Sequence, residues 1–198
     1  AFAGVNTAER VLVVVSELQE HGPQNLRGLY TVLEELTGVQ TQVILGASYG
    51  RIIYLKRDQA TLANFRSTLL GLAANNSIKA IDVIMSLHGG SGRLYFREGR
   101  VNVEDMTQTV VAASTTTQKI LVSKMKQKLR AIYNLSCFGR SHNQAFRDMG
   151  FDITVGSNGV NANSEVEFTA VLASWKFGST FKGAFDATNS NFAIQLAD

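Results

Sequence analysis

The sequence predicts an α/β fold in which a mainly parallel central sheet is flanked by helices on both faces. Short apolar, β-branched segments alternate along the chain with longer segments whose apolar residues recur at helical spacing. Parallel strands need a crossover connection, and that connection is usually a helix. The segment Ala80–Leu87 is nearly continuous in apolar residues, which is typical of a strand buried on both faces.

The first half of the chain predicts strands and helices in alternation. The helix at Gln24–Leu36 carries Leu26, Leu29, Tyr30, Leu33 and Leu36 at helical spacing. The second helix begins at a capping residue, Asp58, and carries Leu62, Phe65, Leu69 and Leu72 on one face. In chain order the predicted elements are a strand, a helix, two strands and a helix, at Val11–Val15, Gln24–Leu36, Thr41–Leu45, Arg51–Leu55 and Asp58–Ala74.

The second half continues in the same manner after the buried strand. A hairpin centred on Glu98-Gly99-Arg100 is predicted first, because extended segments flank this turn sequence. The helical pattern that follows is interrupted by three threonines at 115–117. In chain order the predicted elements are the hairpin at Arg93–Val103, a broken helix at Glu104–Leu129, a strand at Ala131–Leu135, a short helix at Ser141–Met149, a strand at Phe151–Val155, a helix at Glu165–Phe177 with Phe168, Val171, Leu172 and Trp175 facing inward, and a short helix at Phe181–Thr188.

Composition excludes several classes of protein. The chain has 198 residues, of which 45% are hydrophobic and 18% charged, so we expect one globular domain over 1–198. A net charge of +3 is too small to indicate a nucleic-acid-binding protein. No apolar run is long enough to span a bilayer, and the start does not resemble a signal peptide. The compartment stays open, with export expected only if an upstream signal peptide has been removed.

The single cysteine and three histidines narrow the chemistry. One cysteine cannot form an internal disulfide, and these four residues lack the spacing of metal ligands, so we expect neither a metal nor a cofactor. His88 directly follows the buried strand Ala80–Leu87, and Cys137 follows Ala131–Leu135 with only Ser136 between. If the two strands are parallel neighbours, both side chains emerge at the carboxyl edge of the sheet, where α/β folds bind ligands.

A cysteine and a histidine at one edge are typical of nucleophilic catalysis. A free thiol is mostly protonated at neutral pH, so a cysteine nucleophile needs a partner that exchanges its proton, and imidazole is the usual one. Gly89, after the histidine, allows close approach of a substrate and leaves an amide free to bind an oxyanion. Each residue alone is more often structural, the cysteine as a small buried hydrophobe and the histidine as a hydrogen-bonded support.

These residues resemble the caspase-like cysteine peptidases of clan CD, which include caspases, gingipains, clostripain and legumain. In that family an apolar strand ends in His-Gly and the next ends in Cys; here His88 and Cys137 are 49 residues apart (137 minus 88), and Gly139 completes Cys-x-Gly. The stretch from Gly156 to Ser164, ahead of a helix with Trp175, is similar to bacterial members. Leu135, Ser136 and Phe138 differ from the caspase residues, which disfavours caspase specificity for aspartate.

The resemblance implies a three-layer caspase-like fold and a cysteine endopeptidase with a Cys137/His88 dyad. It also implies an oxyanion site at the backbone amides of Gly89 and Cys137, and substrate-binding roles for Leu135 and Ser136, since the residue two before the cysteine helps to line the P1 pocket. Leu135 supplies no charge, so an arginine-directed pocket needs a carboxylate from elsewhere, with Asp152 and Glu165 as candidates. The partner would be a peptide or protein substrate, and the oligomeric state stays open.

Two other functions compete with this interpretation. A non-catalytic caspase-like domain would bind a peptide or protein partner in the same groove. Gly46-Ala47-Ser48-Tyr49-Gly50 matches the serine-hydrolase pattern, but a strand is predicted after it where that enzyme class needs a helix. His21 and His142 lie at no strand end, and the start of the short helix is the expected role of His142. The basic cluster at Lys124, Lys126, Lys128 and Arg130 is expected to be a solvated helix face.

Overall fold

A computed structural model describes residues 4–111, 115–160 and 164–176, with side chains described except at 108–111 and 164–167. The strands in these ranges are β1 (Arg10–Glu17), β2 (Arg51–Lys56), β3 (Ala80–Gly90), β4 (Arg93–Phe96), β5 (Gly99–Asn102), β6 (Leu129–Asn134) and β7 (Ile153–Gly156). The helices are α1 (Arg27–Leu45), α2 (Leu62–Ala74), α3 (Val103–Val111), α4 (Thr116–Lys128), α5 (Asn143–Met149) and α6 (Ser164–Lys176).

Five of the strands form a parallel sheet in the spatial order β2-β1-β3-β6-β7. The last three residues of β3 extend beyond this sheet and pair with β4, which forms an antiparallel hairpin with β5. The predicted α/β class with a mainly parallel central sheet is therefore confirmed. The hairpin centred on Glu98-Gly99-Arg100 is also confirmed, and Gly99 adopts the positive φ of 123° that its turn requires.

Helices cover both faces of the sheet and produce two apolar clusters. One cluster joins the odd-numbered residues of β1 and β3 to α2 and α5, with Phe65 and Phe146 fully buried. The other joins Leu12, Val14 and Ile84 to α6, where Phe168, Val171, Leu172 and Trp175 are at most 2% exposed, as the sequence predicts. This arrangement is a three-layer helix–sheet–helix packing.

The predicted strand at Thr41–Leu45 is wrong, because this segment is the last part of α1. The buried residues of α1 recur at helical spacing, and the β-branched threonines are accommodated because Thr41 donates its hydroxyl to the Thr37 carbonyl oxygen at 2.7 Å. The expected apolar face is also largely wrong. Leu29 and Leu36 are 52% and 37% exposed, whereas Glu34, Thr37, Gly38, Thr41 and Leu45 are buried.

Other differences concern boundaries and single residues. The second helix begins after Thr61, whose side chain accepts a hydrogen bond from the Asn64 amide, and not at Asp58. The expected broken helix consists of α3 and α4. Lys128 and Arg130 do not form a solvated helix face: Lys128 donates to the Ala73 and Asn75 carbonyl oxygens, and Arg130 lies in β6. The predicted helix at Phe181–Thr188 lies outside the described residues.

The segment that matches the serine-hydrolase pattern lies in the wrong structural context for that class of enzyme. Gly46–Ser48 is a 3₁₀ turn between α1 and β2, so it joins a helix to a strand, the reverse of a serine-hydrolase elbow.

No helix in the described ranges is long and apolar enough to cross a membrane.

Candidate active site

The strands that precede His88 and Cys137 are parallel neighbours, which is the condition on which the expectation of a shared edge depended. Met85 of β3 is aligned with Asn134 of β6, and the Leu135 amide donates to the Met85 carbonyl oxygen at 2.8 Å. His88 and Cys137 each lie three residues beyond this aligned pair. Both residues therefore leave the parallel sheet at its carboxyl edge, at equal offsets along adjacent strands.

Gly89 brings the chain after His88 directly onto the chain before Cys137. A methyl group at Gly89 would lie 2.6 Å from the Cys137 carbonyl oxygen and 2.7 Å from the Ser136 Cβ. These distances are too short for any side chain, so the close approach of the two segments requires glycine at this position. The sequence indicated Gly89 as a space for substrate and as an amide donor to an oxyanion, and the structure adds this packing role.

The imidazole of His88 is oriented by two contacts. Its Nε2 atom lies 2.8 Å from the Leu18 carbonyl oxygen, and its ring meets Tyr30 of α1 edge-on, with centroids 5.0 Å apart. Because a carbonyl oxygen only accepts hydrogen bonds, Nε2 must carry the proton of the neutral ring. Nδ1 then keeps its lone pair, and none of the described groups hydrogen-bonds to it. The ring is therefore in the tautomer of a proton acceptor.

Glu34 of α1 fixes the segment that holds His88. Its carboxylate is 1% exposed and accepts hydrogen bonds from the Leu18 amide at 2.6 Å and from the Gln19 side chain at 2.6 Å. The sequence gave no functional signal for Glu34, because no motif marks a carboxylate that binds the segment after β1. Through Leu18, this buried carboxylate contributes to the position of the imidazole.

Cys137 lies in a tight loop between β6 and α5 and is partly exposed. Phe138, the next residue, adopts a left-handed conformation with φ of 57°, and its amide donates to the Gly159 carbonyl oxygen at 2.7 Å. The loop also crosses the end of β7, where a methyl group at Gly156 would lie 2.4 Å from the Gly139 carbonyl carbon. Packing therefore explains the glycine of the Cys-x-Gly pattern, because Gly139 allows the loop backbone to contact the backbone of β7.

Ser136 and Asn134 turn inward and form a buried polar network with His142. Ser136 is 1% exposed, and its hydroxyl donates to the Asn134 Oδ1 at 2.7 Å. His142 is fully buried, with Nδ1 2.9 Å from the Asn134 Nδ2 and Nε2 2.7 Å from the Gly90 carbonyl oxygen. The Ser136 side chain, predicted to bind substrate, is thus directed into the protein interior.

His142 occupies the N-cap position of α5, but its side chain makes no capping hydrogen bond. The sequence thus placed His142 correctly at a helix start and missed what its side chain does. Burial lowers the pKa of His142, and the hydrogen bond to Gly90 acts in the opposite direction. Because Nε2 donates to a carbonyl, the neutral ring accepts from Asn134 at Nδ1. No sequence motif marks this role, which depends on contacts across the sheet edge.

A small cavity of about 30 Å³ opens between α1, α6 and the ends of three strands, and neither His88 nor Cys137 lines it. Leu135, predicted to contact substrate, lines this cavity and is 8% exposed. The other lining residues come from the β1–α1 connection, α1, β3 and α6, and are Leu18, Leu33, Leu36, Thr37, Gln40, Ser86 and Phe168. None of the described side chains that line the cavity is ionisable.

The remaining sequence candidates lie elsewhere. Asp152 is exposed and precedes β7, at the opposite edge of the sheet from Cys137, so it cannot supply the carboxylate of a pocket there. The Glu165 side chain lies outside the described part. His21 is bound through Nε2 to the Phe96 carbonyl oxygen at 2.7 Å. In the described ranges no group of three or more His, Cys, Asp and Glu side chains could hold a metal ion.

The chain matches no protein-family profile, and no curated protein is significantly similar to it in sequence.

Proposed function

We propose that the chain is a cysteine peptidase in which Cys137 is the nucleophile and His88 is the general acid and base. One observation carries the proposal. Cys137, the single cysteine of the sequence, and His88, whose Nδ1 lone pair has no described partner, leave adjacent parallel strands at the same edge and at equal offsets. The edge is partly exposed, so a peptide can reach both groups.

The reaction follows from these two groups. The Cys137 sulfur attacks the carbonyl carbon of the peptide bond, and its proton passes to His88 Nδ1. The C–N bond breaks when that proton is transferred to the leaving amine, which leaves a thioester. Water then attacks the thioester, gives its proton to Nδ1, and releases the acid as the sulfur regains the proton. The net reaction consumes one water per peptide bond and needs no cofactor.

The backbone amides of Gly89 and Cys137 are the proposed donors to the oxyanion. Support for this comes from the approach of Gly89 to the Cys137 carbonyl oxygen and the Ser136 side chain, which brings the two chain segments side by side. Backbone donors held in this way need no reorganisation when charge develops on the carbonyl oxygen. The Leu18 carbonyl oxygen accepts the Nε2 proton throughout, so Nδ1 is the ring nitrogen that exchanges protons with the substrate.

A peptide-binding domain without catalysis is the second candidate. It is favoured by the small apolar cavity next to Leu135, since a bound peptide can contact this cavity whether or not a bond is cleaved. The two functions differ in one respect. Catalysis requires Cys137 and His88 to act as one unit, whereas binding requires neither a thiol nor a proton acceptor.

The test is a double-mutant cycle with a mixed peptide library as substrate. Cys137→Ala and His88→Ala should each abolish cleavage, and the double variant should lose little more, because members of one catalytic unit are strongly non-additive. Both variants should keep the fold, since neither residue belongs to an apolar cluster. His21→Ala is the matched control for loss of a histidine at a backbone carbonyl contact, and it should keep cleaving.

The results of this cycle distinguish a cysteine peptidase from a peptide-binding domain. If wild type cleaves no library peptide while Cys137→Ala and wild type bind the same peptides equally well, the peptidase proposal is wrong and the binding domain is supported. Cleavage that survives in both folded single variants would also reject the proposed dyad.

A further inference from the structure

We propose that α1 pairs with the α1 helix of a second copy of this chain, in an antiparallel arrangement, through an apolar stripe on its outward face. The exposed fractions of the side chains in this stripe lie between 37% and 73%. The interaction is separate from the proposed peptidase chemistry, because it involves no residue of the proposed dyad. The stripe consists of five aliphatic residues, Leu29, Val32, Leu36, Val39 and Val43.

The spacing of the stripe is that of a helix that packs against another helix. Its residues are separated alternately by three and four positions, which is the seven-residue repeat of a coiled-coil seam. At about 100° per residue they fall within an arc of about 80°, on the side of α1 opposite its buried residues. A surface helix normally carries polar residues on that side. The outward face of α1 therefore lacks a partner among the described residues.

The stripe is large enough for a specific interface with a second copy. The exposed parts of its five side chains amount to roughly 500 Å², a size at which an exposed apolar patch commonly marks an interaction site. Two such stripes together would bury roughly 1,000 Å², which reaches the lower end of specific protein–protein interfaces. We therefore expect a weak dimer, with a dissociation constant of about 1–100 μM.

No unpaired charge on α1 opposes such a pairing. Glu34 and Glu35 are the only charged residues between the two ends of the stripe. Glu34 is buried, and the Glu35 carboxylate lies 3.2 Å from the Lys56 ammonium group and 3.2 Å from the Arg57 guanidinium group of the same chain. The second α1 would thus bring no like charge against the stripe. The pattern favours an apolar helical partner, and an identical helix meets both requirements.

The stripe is self-complementary when the two helices run antiparallel. With Leu36 on the twofold axis, this side chain meets its own copy. Leu29 then meets Val43 of the second copy, and Val32 meets Val39. A twofold interface requires that each of these contacts occurs twice, once on either side of the axis. The leucine at one end of the stripe faces the smaller valine at the other, so the seam is filled evenly over its length of about 21 Å.

The test is sedimentation equilibrium at about 1–200 μM protein, with urea unfolding to show that each variant is folded. Wild type should dimerise. Val39→Lys places an ammonium group in the apolar seam and should weaken dimerisation by about tenfold or more. Ile120→Lys, at a 54% exposed residue of α4, is the matched control and should leave the dissociation constant unchanged. Val32→Glu combined with Val39→Lys places opposite charges across the antiparallel seam and should restore part of the lost affinity.

Crosslinking with a short bismaleimide, in the Cys137→Ala background, tests the antiparallel order. Leu36→Cys should crosslink two copies, whereas Val43→Cys should not, because its two copies lie about 21 Å apart. Equal crosslinking at both positions would reject the antiparallel pairing. A wild type that stays monomeric up to about 200 μM, or a dimer that Val39→Lys leaves intact, overturns the inference. In a monomer, protection of Val39→Cys from maleimide would assign the stripe to another segment of the same chain instead.

Discussion

The Nε2 atom of His142 lies 2.7 Å from the carbonyl oxygen of Gly90, two residues beyond His88. The other ring nitrogen lies 2.9 Å from the Asn134 side chain, three residues before Cys137. One buried imidazole thus joins the two chain segments that carry the candidate pair. Because both ring nitrogens are occupied in the neutral form, protonation of His142 would replace an acceptor at Nδ1 with a second donor.

His142 should make the folded state sensitive to acid. Burial lowers its pKa in the folded protein, so between that value and the ordinary value near 6.5 the unfolded chain binds more protons. Its contribution to stability is complete above about pH 6.5 and declines as the pH falls below it, by at most about 1.4 kcal/mol per pH unit. Urea unfolding of wild type and His142→Gln between pH 5 and 8 measures this effect.

The comparison with His142→Gln isolates one titration, because glutamine keeps a neutral donor and acceptor but does not ionise. The free energy of unfolding should depend less on pH in the variant than in wild type. Parallel curves for the two proteins would show that His142 does not titrate in this range on folding. His21→Gln, at a partly buried position, serves as the matched control.

Cys137 should react with iodoacetamide in the native protein. Its side chain is partly exposed, and the loop around it presents no covering apolar cluster, so the reagent can reach the sulfur. The measurement is intact mass against time with and without denaturant. Labelling that occurs only after unfolding would mean that the thiol is inaccessible, and it would remove the basis of the nucleophile assignment. The rate in His88→Ala shows whether the imidazole assists.

Gly89→Ala should disturb the candidate site by adding one methyl group. That methyl meets the Cys137 carbonyl oxygen and the Ser136 side chain at less than 3 Å, so the two segments must separate. We expect a loss of about 1–3 kcal/mol in the free energy of unfolding, typical of overpacking, together with loss of peptide cleavage. Gly71→Ala is the matched control, because it lies in α2 with open space around it, and alanine should be neutral or stabilising there.

Asp82 should be important for stability and not for the proposed chemistry. It is fully buried in β3 and accepts hydrogen bonds from Tyr49 at 2.8 Å, from the Ala131 amide and from Arg130. Asp82→Ala removes the buried carboxylate that Arg130, Tyr49 and the Ala131 amide contact, so we expect a loss of about 3 kcal/mol or more in the free energy of unfolding. Tyr49→Phe removes the hydrogen bond to Asp82 and should cost about 1 kcal/mol or more. Equal, small losses in thermal or urea unfolding would contradict this account.

The sequence predicted the sheet and the helices well where periodicity was strong. Ala80–Leu87 and the inward face of α6 needed only the local pattern of apolar residues. The prediction failed at Thr41–Leu45 because β-branched residues favour strands locally, whereas the helix gains from burying Thr41 and Leu45 against the sheet.

The candidate site was predicted in part for a similar reason. His88 and Cys137 follow apolar strands, which a sequence records directly. Glu34 and His142 act on backbone groups that lie 15 or more residues away, such as the Gly90 carbonyl oxygen, and a residue type alone gives no signal for those contacts. The roles of Glu34 and His142 depend on contacts that form only in the folded protein, where the strands lie side by side.

The crossing of Gly139 and Gly156 has a consequence for how this protein tolerates mutation. At that crossing and at Gly89, the close packing depends on the absence of a side chain at each glycine. The backbone there lies against another backbone segment or against Ser136. Substitutions that remove side chains around the edge would leave these contacts intact, whereas those that add a single carbon at the three glycines would force them apart. In a saturation scan of every position, we therefore expect the loop of Cys137 to tolerate loss of atoms far better than gain, the reverse of the pattern at a leucine in the core.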